Sequence, residues 1–326
     1  MRIQTEKQKL LSGTLKNGKN IELNLSNRGA IIRSIKVNGT LTTRDVPEEK
    51  TKPGDRGGFF IAPIVFGRLI NRSLVFKNHT YSMPFPEDIN PTEVDPEGLY
   101  AHGIHHYYTF EEKAHSSTKI SYLLDHTRLP ESYPFPHSCE ITYQLTDTGF
   151  KVCVTVKACE VPVPAQLTIH PFFRYFLEND NKKQNSIQFR GRLSAKFELE
   201  PGSKLPLPTR SPTKLADGGP YTQWTSLGTD TDHSFISEDG ITELRWPNSG
   251  PHIRMVDESE LSEKEDCKYP VQIWTTGGIT RNACAIEQGG PANCFYLVAN
   301  NLVDHELLPV ALPGKDVSRT VRYEFL

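Results

Sequence analysis

Six cysteines are few for 326 residues, and Cys139, Cys153, Cys159, Cys267, Cys284 and Cys294 include no C-x-x-C pair. A zinc ribbon or thioredoxin-type redox site is therefore not expected. Cys153 and Cys159 lie in or beside an apolar alternating run, so most of the six read as small buried hydrophobes rather than disulfide partners. A surplus of either charge is also missing. With 37 basic and 39 acidic side chains and a formal net charge of -2, nothing favours nucleic acid or an anionic membrane as a partner. No apolar run approaches the roughly 20 residues of a membrane span, and Met1 to Leu10 is polar, so a cytoplasmic location is expected. There is no G-x-G-x-x-G after a strand, no P-loop and no H-E-x-x-H, which leaves no motif for a nucleotide, flavin or metal cofactor. Sustained apolar spacing at three and four residues, the mark of amphipathic helices, is hard to find.

Runs of period two are present instead. Ile141, Tyr143 and Leu145 alternate with polar residues over Ser138 to Leu145, and Phe150, Val152, Val154 and Val156 share one face of the following run. The four turn-forming residues Thr146-Asp147-Thr148-Gly149 between them predict a hairpin. Further strands are expected at Glu22 to Leu25, Ile31 to Val37, Ile120 to Leu124, Ile187 to Phe189, Gln272 to Thr275, Ala283 to Ile286 and Val321 to Phe325. The 23 glycines and 24 prolines suit short strands joined by irregular loops. Two long polar segments, Pro84 to Tyr100 and Pro201 to Tyr221, have the length of functional loops. Without an internal repeat, low-complexity tract or linker, residues 1–326 read as a single domain. The expected class is all-β, a large antiparallel β-sandwich.

Five clusters could carry chemistry. Gly67-Arg68-Leu69-Ile70-Asn71-Arg72 follows an apolar stretch and offers several donors suited to hydroxyl groups, or is a solvated turn. Tyr100-Ala101-His102-Gly103-Ile104-His105-His106 places three histidines within five residues, which fits acid/base or hydrogen-bonding work, plain loop histidines, or a metal site still short of ligands. His170, in Leu167-Thr168-Ile169-His170-Pro171-Phe172-Phe173, is either a reactive group or a satisfied core histidine. Asp232-His233-Ser234-Phe235 is a binding motif or an Asx turn. Finally, the run Ala283-Cys284-Ala285-Ile286 ends in Glu287 just before a Gly-Gly-Pro turn. A carboxylate held at a strand end and facing a cleft is placed as a general base should be.

Their order along the chain, G-R-x-x-N-R, then His-Gly, then L-T-x-H-x-[YF]-F, then D-H-x-F, then a strand-end Glu, resembles the aldose 1-epimerase (galactose mutarotase) family from about Gly67 to Gly290. The resemblance implies a β-sandwich of the galactose mutarotase type and an isomerase interconverting the α and β anomers of a hexose without a cofactor. It implies Glu287 as general base and His170 as general acid, with Arg72, His102, Asp232 and Gln272 binding the sugar; Asn71, in the same G-R-x-x-N-R run, is expected to bind it too. The chain departs from the family pattern around His102, where Leu99-Tyr100-Ala101 precedes it and Ile104 follows Gly103, and after Glu287, where Gln288-Gly289-Gly290 stands.

Two other readings keep the fold. One is an epimerase of hexose phosphates or other charged sugars, for which Arg68, Arg174 or Lys204 could supply cations. The other is a carbohydrate-binding sandwich without chemistry, against which the joint presence of His170 and Glu287 argues. A metal enzyme built on His102, His105 and His106 is the remaining alternative.

Overall fold

The computed structural model describes residues 6–44, 57–86, 89, 100–177, 187–200, 212–228, 231–247, 250–259, 269–275, 283–289 and 308–326. Among these the regular structure is β, with short 3-10 turns at Ile70–Arg72, His105–Tyr107 and His126–Arg128. One continuous antiparallel sheet of eighteen described strands carries most of it, beside two separate two-stranded ribbons. No helix among the described residues is long and apolar enough to cross a membrane.

The sheet folds over on itself in two layers. In one, the spatial order is Gln8–Thr14, Asn20–Ser26, Ile31–Val37, Phe59–Ala62, Thr168–Pro171, Cys284–Gln288, Tyr269–Thr275 and the start of Asp232–Arg245. In the other it is Glu111–His115, Lys119–Leu124, His137–Thr146, Gly149–Ala158, Val317–Phe325 and His252–Asp257. Asp232–Arg245 joins both, since residues 232–237 pair with Tyr269–Thr275 and residues 241–245 pair with His252–Asp257. Apolar side chains at alternate positions of both layers meet between them, as period-two patterning requires. Phe59 of the first layer lies edge-on to Phe150 and Tyr323 of the second, at 6.0 and 5.2 Å between ring centroids.

The expected strands are present, several of them longer than the pattern suggested. The hairpin is tighter than its four turn-forming residues implied, because Thr146 pairs with Gly149 and only Asp147 and Thr148 form the loop. Asp232 to Phe235, read above as a motif or an Asx turn, opens the fourteen-residue strand Asp232–Arg245. The expectation of buried cysteines is corrected at two of the four described ones. Cys139 and Cys284 are buried, whereas Cys153 and Cys159 are half-exposed, and all four are free thiols. Cys153 is polar-side because the alternating face of its strand is already filled by Val152 and Val154. Cys267, Cys294, Lys204, most of Pro84 to Tyr100 and residues 201–211 lie outside the described residues.

Candidate active site

The first layer brings distant parts of the chain into rows. His170 stands opposite Phe60, Glu287 opposite Gln272, and Gln272 opposite Ser234. Ile169 pairs with Gln288, so antiparallel register sets His170 directly across from Glu287. One row therefore runs Phe60, His170, Glu287, Gln272, Ser234 over five adjacent strands. Two residues along, Trp274 faces Asp232 and Ala285. The bridge between Phe173 and Cys284 puts Phe172 at the end of that second row.

These side chains share the face turned away from the main core, because side chains alternate along a strand. Ile169, Phe173, Val271, Ile273, Cys284 and Ile286 point the other way and join the core. Phe60, Phe66, Phe172, Ala283 and Ala285 form a second, smaller apolar cluster, with Trp274 packed against it. Of the two phenylalanines after His170, then, Phe173 is core and Phe172 flanks the histidine.

Within the row, His170 Nε2 lies 3.1 Å from Glu287 Oε1, with the two side chains 5% and 3% exposed. The imidazole is held by aromatic rings, Phe60 and Phe172 each at 4.4 Å between centroids. Gln272 Nε2 donates to Asp232 Oδ1, a diagonal contact between the two rows. Burial and the nearby charge of Glu287 push the Cys284 thiol well above its ordinary value. That thiol lies on the core side of the strand, so it stays protonated and inert.

His102 approaches from the loop above, its ring 5.2 Å from that of His170 and edge-on to it. It exchanges hydrogen bonds with Gly67. Its backbone N–H donates to Gly67 O at 2.8 Å, and Gly67 N–H donates to His102 Nδ1 at 3.3 Å. With Nδ1 accepting, the neutral ring carries its proton on Nε2. A bridge between Arg68 and Ala101 completes the link between the two segments. The turn that follows contains two consecutive left-handed residues, Asn71 at φ 50° and Arg72 at φ 58°. Asn tolerates that region well, but for Arg it is uncommon and costly. Met83 N–H donates to Arg72 O at 2.9 Å and helps hold the turn. The Arg72 cation acts on the buried Tyr100 hydroxyl, partly offsetting the upward push of burial. Among the described residues Arg72 forms no ion pair, and Asn71 is exposed.

The three histidines of the loop go different ways. His105 is buried, and its Nε2 lies 2.8 Å from His137 Nε2, while His137 Nδ1–H donates to Phe135 O at 2.6 Å. Burial pushes His137 down to about 4 and holds His105 well below its ordinary value, so both are neutral core histidines. His106 is buried beside Phe60 and Tyr107. No group of three or more His, Cys, Asp or Glu among the described residues is arranged to hold a metal ion.

Comparison with known proteins decides the family. The sequence matches the aldose 1-epimerase family over residues 12–289. The chain belongs to that family. No curated protein matches the aldose 1-epimerase-family chain by sequence. Its fold is shared with solved structures. A galactose mutarotase-like protein from Clostridium acetobutylicum superposes with a TM-score of 0.71 at 14% identity, covering 98% of this chain and 99% of that one. A galactose mutarotase related enzyme from Lactobacillus acidophilus gives 0.68 at 18% identity, covering 98% and 100%. A galactose 1-epimerase from Lactobacillus acidophilus NCFM gives 0.66 at 12% identity, covering 99% of each. At these identities the likeness is one of fold.

Of the site residues expected from sequence, this family member brings His170, Glu287, Gln272 and Asp232 onto one sheet face and His102 against His170. Asn71 and Arg72 stand in the turn four and five residues after Gly67, which bonds His102. Phe60, Phe66, Trp274 and Ser234 were not singled out in the sequence as site residues. Phe60 and Phe66 sit in an apolar run whose two faces look alike in sequence. Ser234 is the variable position of D-H-x-F, and only its pairing with Gln272 reveals which way it points.

Proposed function

We propose that this protein is an aldose 1-epimerase that interconverts the α and β anomers of a hexose by acid/base ring opening and reclosure. The observation that carries the reading is the buried His170–Glu287 contact of 3.1 Å, on a sheet face that also carries Phe60, Phe66, Phe172 and Trp274 beside Gln272 and Asp232. The C1 hydroxyl and the ring oxygen are bonded to the same carbon, so an acid and a base standing side by side on neighbouring strands can serve both. Glu287 removes the C1 hydroxyl proton, the C1–O1 bond becomes a carbonyl, and the bond from C1 to the ring oxygen breaks. Protonated His170 delivers its proton to that oxygen. The open-chain aldehyde rotates about C1–C2 and closes on its other face with the roles reversed, which restores both groups. A histidine suits this part because both its protonation states are accessible near neutral pH.

The remaining groups bind. The Asp232 carboxylate and Gln272 amide brace each other and offer acceptors to sugar hydroxyls. His102 presents Nε2–H beside His170, and Arg72 with Asn71 would supply further donors to sugar hydroxyls. Phe172 and Trp274, 5.9 Å apart and nearly perpendicular, supply apolar surface for the C–H face of a pyranose.

Polarimetry tests the reading. Freshly dissolved α-glucose and α-galactose should reach anomeric equilibrium faster with the protein than in buffer, and Glu287→Gln should remove the acceleration. No acceleration by the wild type rejects neutral hexoses. One observation favours a second reading, an epimerase of anionic sugars. The Arg44 guanidinium lies 5.7 Å over the Phe172 ring and forms no ion pair among the described residues. Acceleration confined to hexose phosphates would select it.

A further inference from the structure

Ser234 is 1% exposed, yet its Oγ has no hydrogen-bond partner among the described residues, and the same holds for Oε1 of neighbouring Gln272, which is 6% exposed. A buried hydroxyl or amide oxygen left unpaired is costly, and most such groups in folded proteins find a partner. Here two lie side by side, on facing residues of adjacent strands, in the row that holds His170 and Glu287. The Gln272 side chain is not free to turn over and satisfy itself, because its Nε2 already donates to Asp232. Oε1 is thereby left as an acceptor beside the Ser234 hydroxyl, which can donate and accept.

We infer that Ser234 is a substrate-contacting residue, and that its hydroxyl and Gln272 Oε1 together form a subsite for the ring hydroxyls farthest from the reacting carbon. This rests on the epimerase reading for the placement of C1. Neighbouring strands are about 4.8 Å apart, so Ser234 stands two strand spacings from Glu287 along the row. A pyranose whose C1 lies over the His170–Glu287 pair extends across the Gln272 strand and presents the hydroxyls of C3 and C4 to Ser234. One sugar hydroxyl satisfies both atoms at once, donating to Gln272 Oε1 and accepting from Ser234 Oγ–H. The subsite therefore selects sugars carrying a hydroxyl at that edge.

The test is Ser234→Ala beside wild type, with galactose, glucose and their 3-deoxy and 4-deoxy analogues, read by polarimetry for KM and kcat and by calorimetry for Kd. The variant should raise KM and Kd about 3- to 10-fold, the worth of one neutral hydrogen bond, and leave kcat nearly unchanged. One deoxy analogue should bind wild type as weakly as the parent sugar binds the variant and lose nothing further in it. Without sugar, Ser234→Ala should melt at or above the wild-type temperature, since it removes an unpaired buried group. A serine that merely supports the fold would lower it. Should Ser234→Ala not fold, Ser234→Cys, which keeps the volume and weakens the donor, is read the same way. Sugar binding without turnover overturns the epimerase reading and leaves Ser234 to be judged by Kd. Turnover with unchanged KM and Kd in the variant overturns the Ser234 subsite alone. No sugar binding by wild type overturns both.

Discussion

Gly289 packs its bare α-carbon against Thr168 so closely that an added β-carbon would stand 2.0 Å from Thr168 Oγ1 and 2.7 Å from its Cα. Both residues lie two positions from the His170–Glu287 pair, Thr168 before His170 and Gly289 after Glu287. The two strands therefore meet closely next to the point where the imidazole and the carboxylate touch. Gly289→Ala should wedge the strands apart, because the obstructing atoms include backbone that cannot rotate away. The expected cost is about 1–3 kcal/mol, as for overpacked cores, measurable as a lower urea midpoint. Epimerase activity should fall further than the loss of folded protein explains.

In the proposed mechanism His170 and Glu287 share one proton-transfer cycle, so their removal should not be additive. Each of His170→Asn and Glu287→Gln should lower turnover by about 10² to 10⁴-fold with the fold intact. The double variant should be little slower than the worse single one. Single-variant rates near wild type would remove that residue from the chemistry, and multiplicative losses would mean that the two work independently. Polarimetric rates beside circular dichroism of each variant give the comparison.

The buried His105–His137 pair predicts acid sensitivity distinct from catalysis. Burial depresses His137 to about 4, while in the unfolded chain it returns to about 6.5. Between these values the unfolded chain holds a proton that the folded one lacks. Stability is therefore fully present above about pH 6.5 and declines as pH falls toward 4, by about 1.4 kcal/mol per pH unit for each such proton. His137→Gln should flatten this decline in urea unfolding measured from pH 7 to pH 4.5. An unchanged slope would place the acid sensitivity elsewhere.

Much of the fold was legible because it depends on local pattern. The hairpin around Asp147-Thr148 shows strict alternation on both strands and polar turn residues between. Asp232–Arg245 was not legible, since Glu238-Asp239-Gly240 breaks its period where the strand leaves one partner and takes another. His170 and Glu287 stood out through their sequence surroundings and their order in the chain. Ser234 did not, because a serine after Asp-His carries no sign of the face it occupies. The three histidines at 102, 105 and 106 looked alike in sequence. The 3-10 turn His105–Tyr107 sends the second into the core, while His102, with left-handed backbone, stands against His170.

The amino-acid sequence by itself determined the class of this protein, a single β-rich chain of the aldose 1-epimerase family, since alternation, turn residues and motif order are properties of neighbours along the chain. Which residues meet was decided by tertiary structure alone. Phe60, His170, Ser234, Gln272 and Glu287 come into one row only through the register of five strands, and a shift of one residue in any of them would turn its side chain to the opposite face.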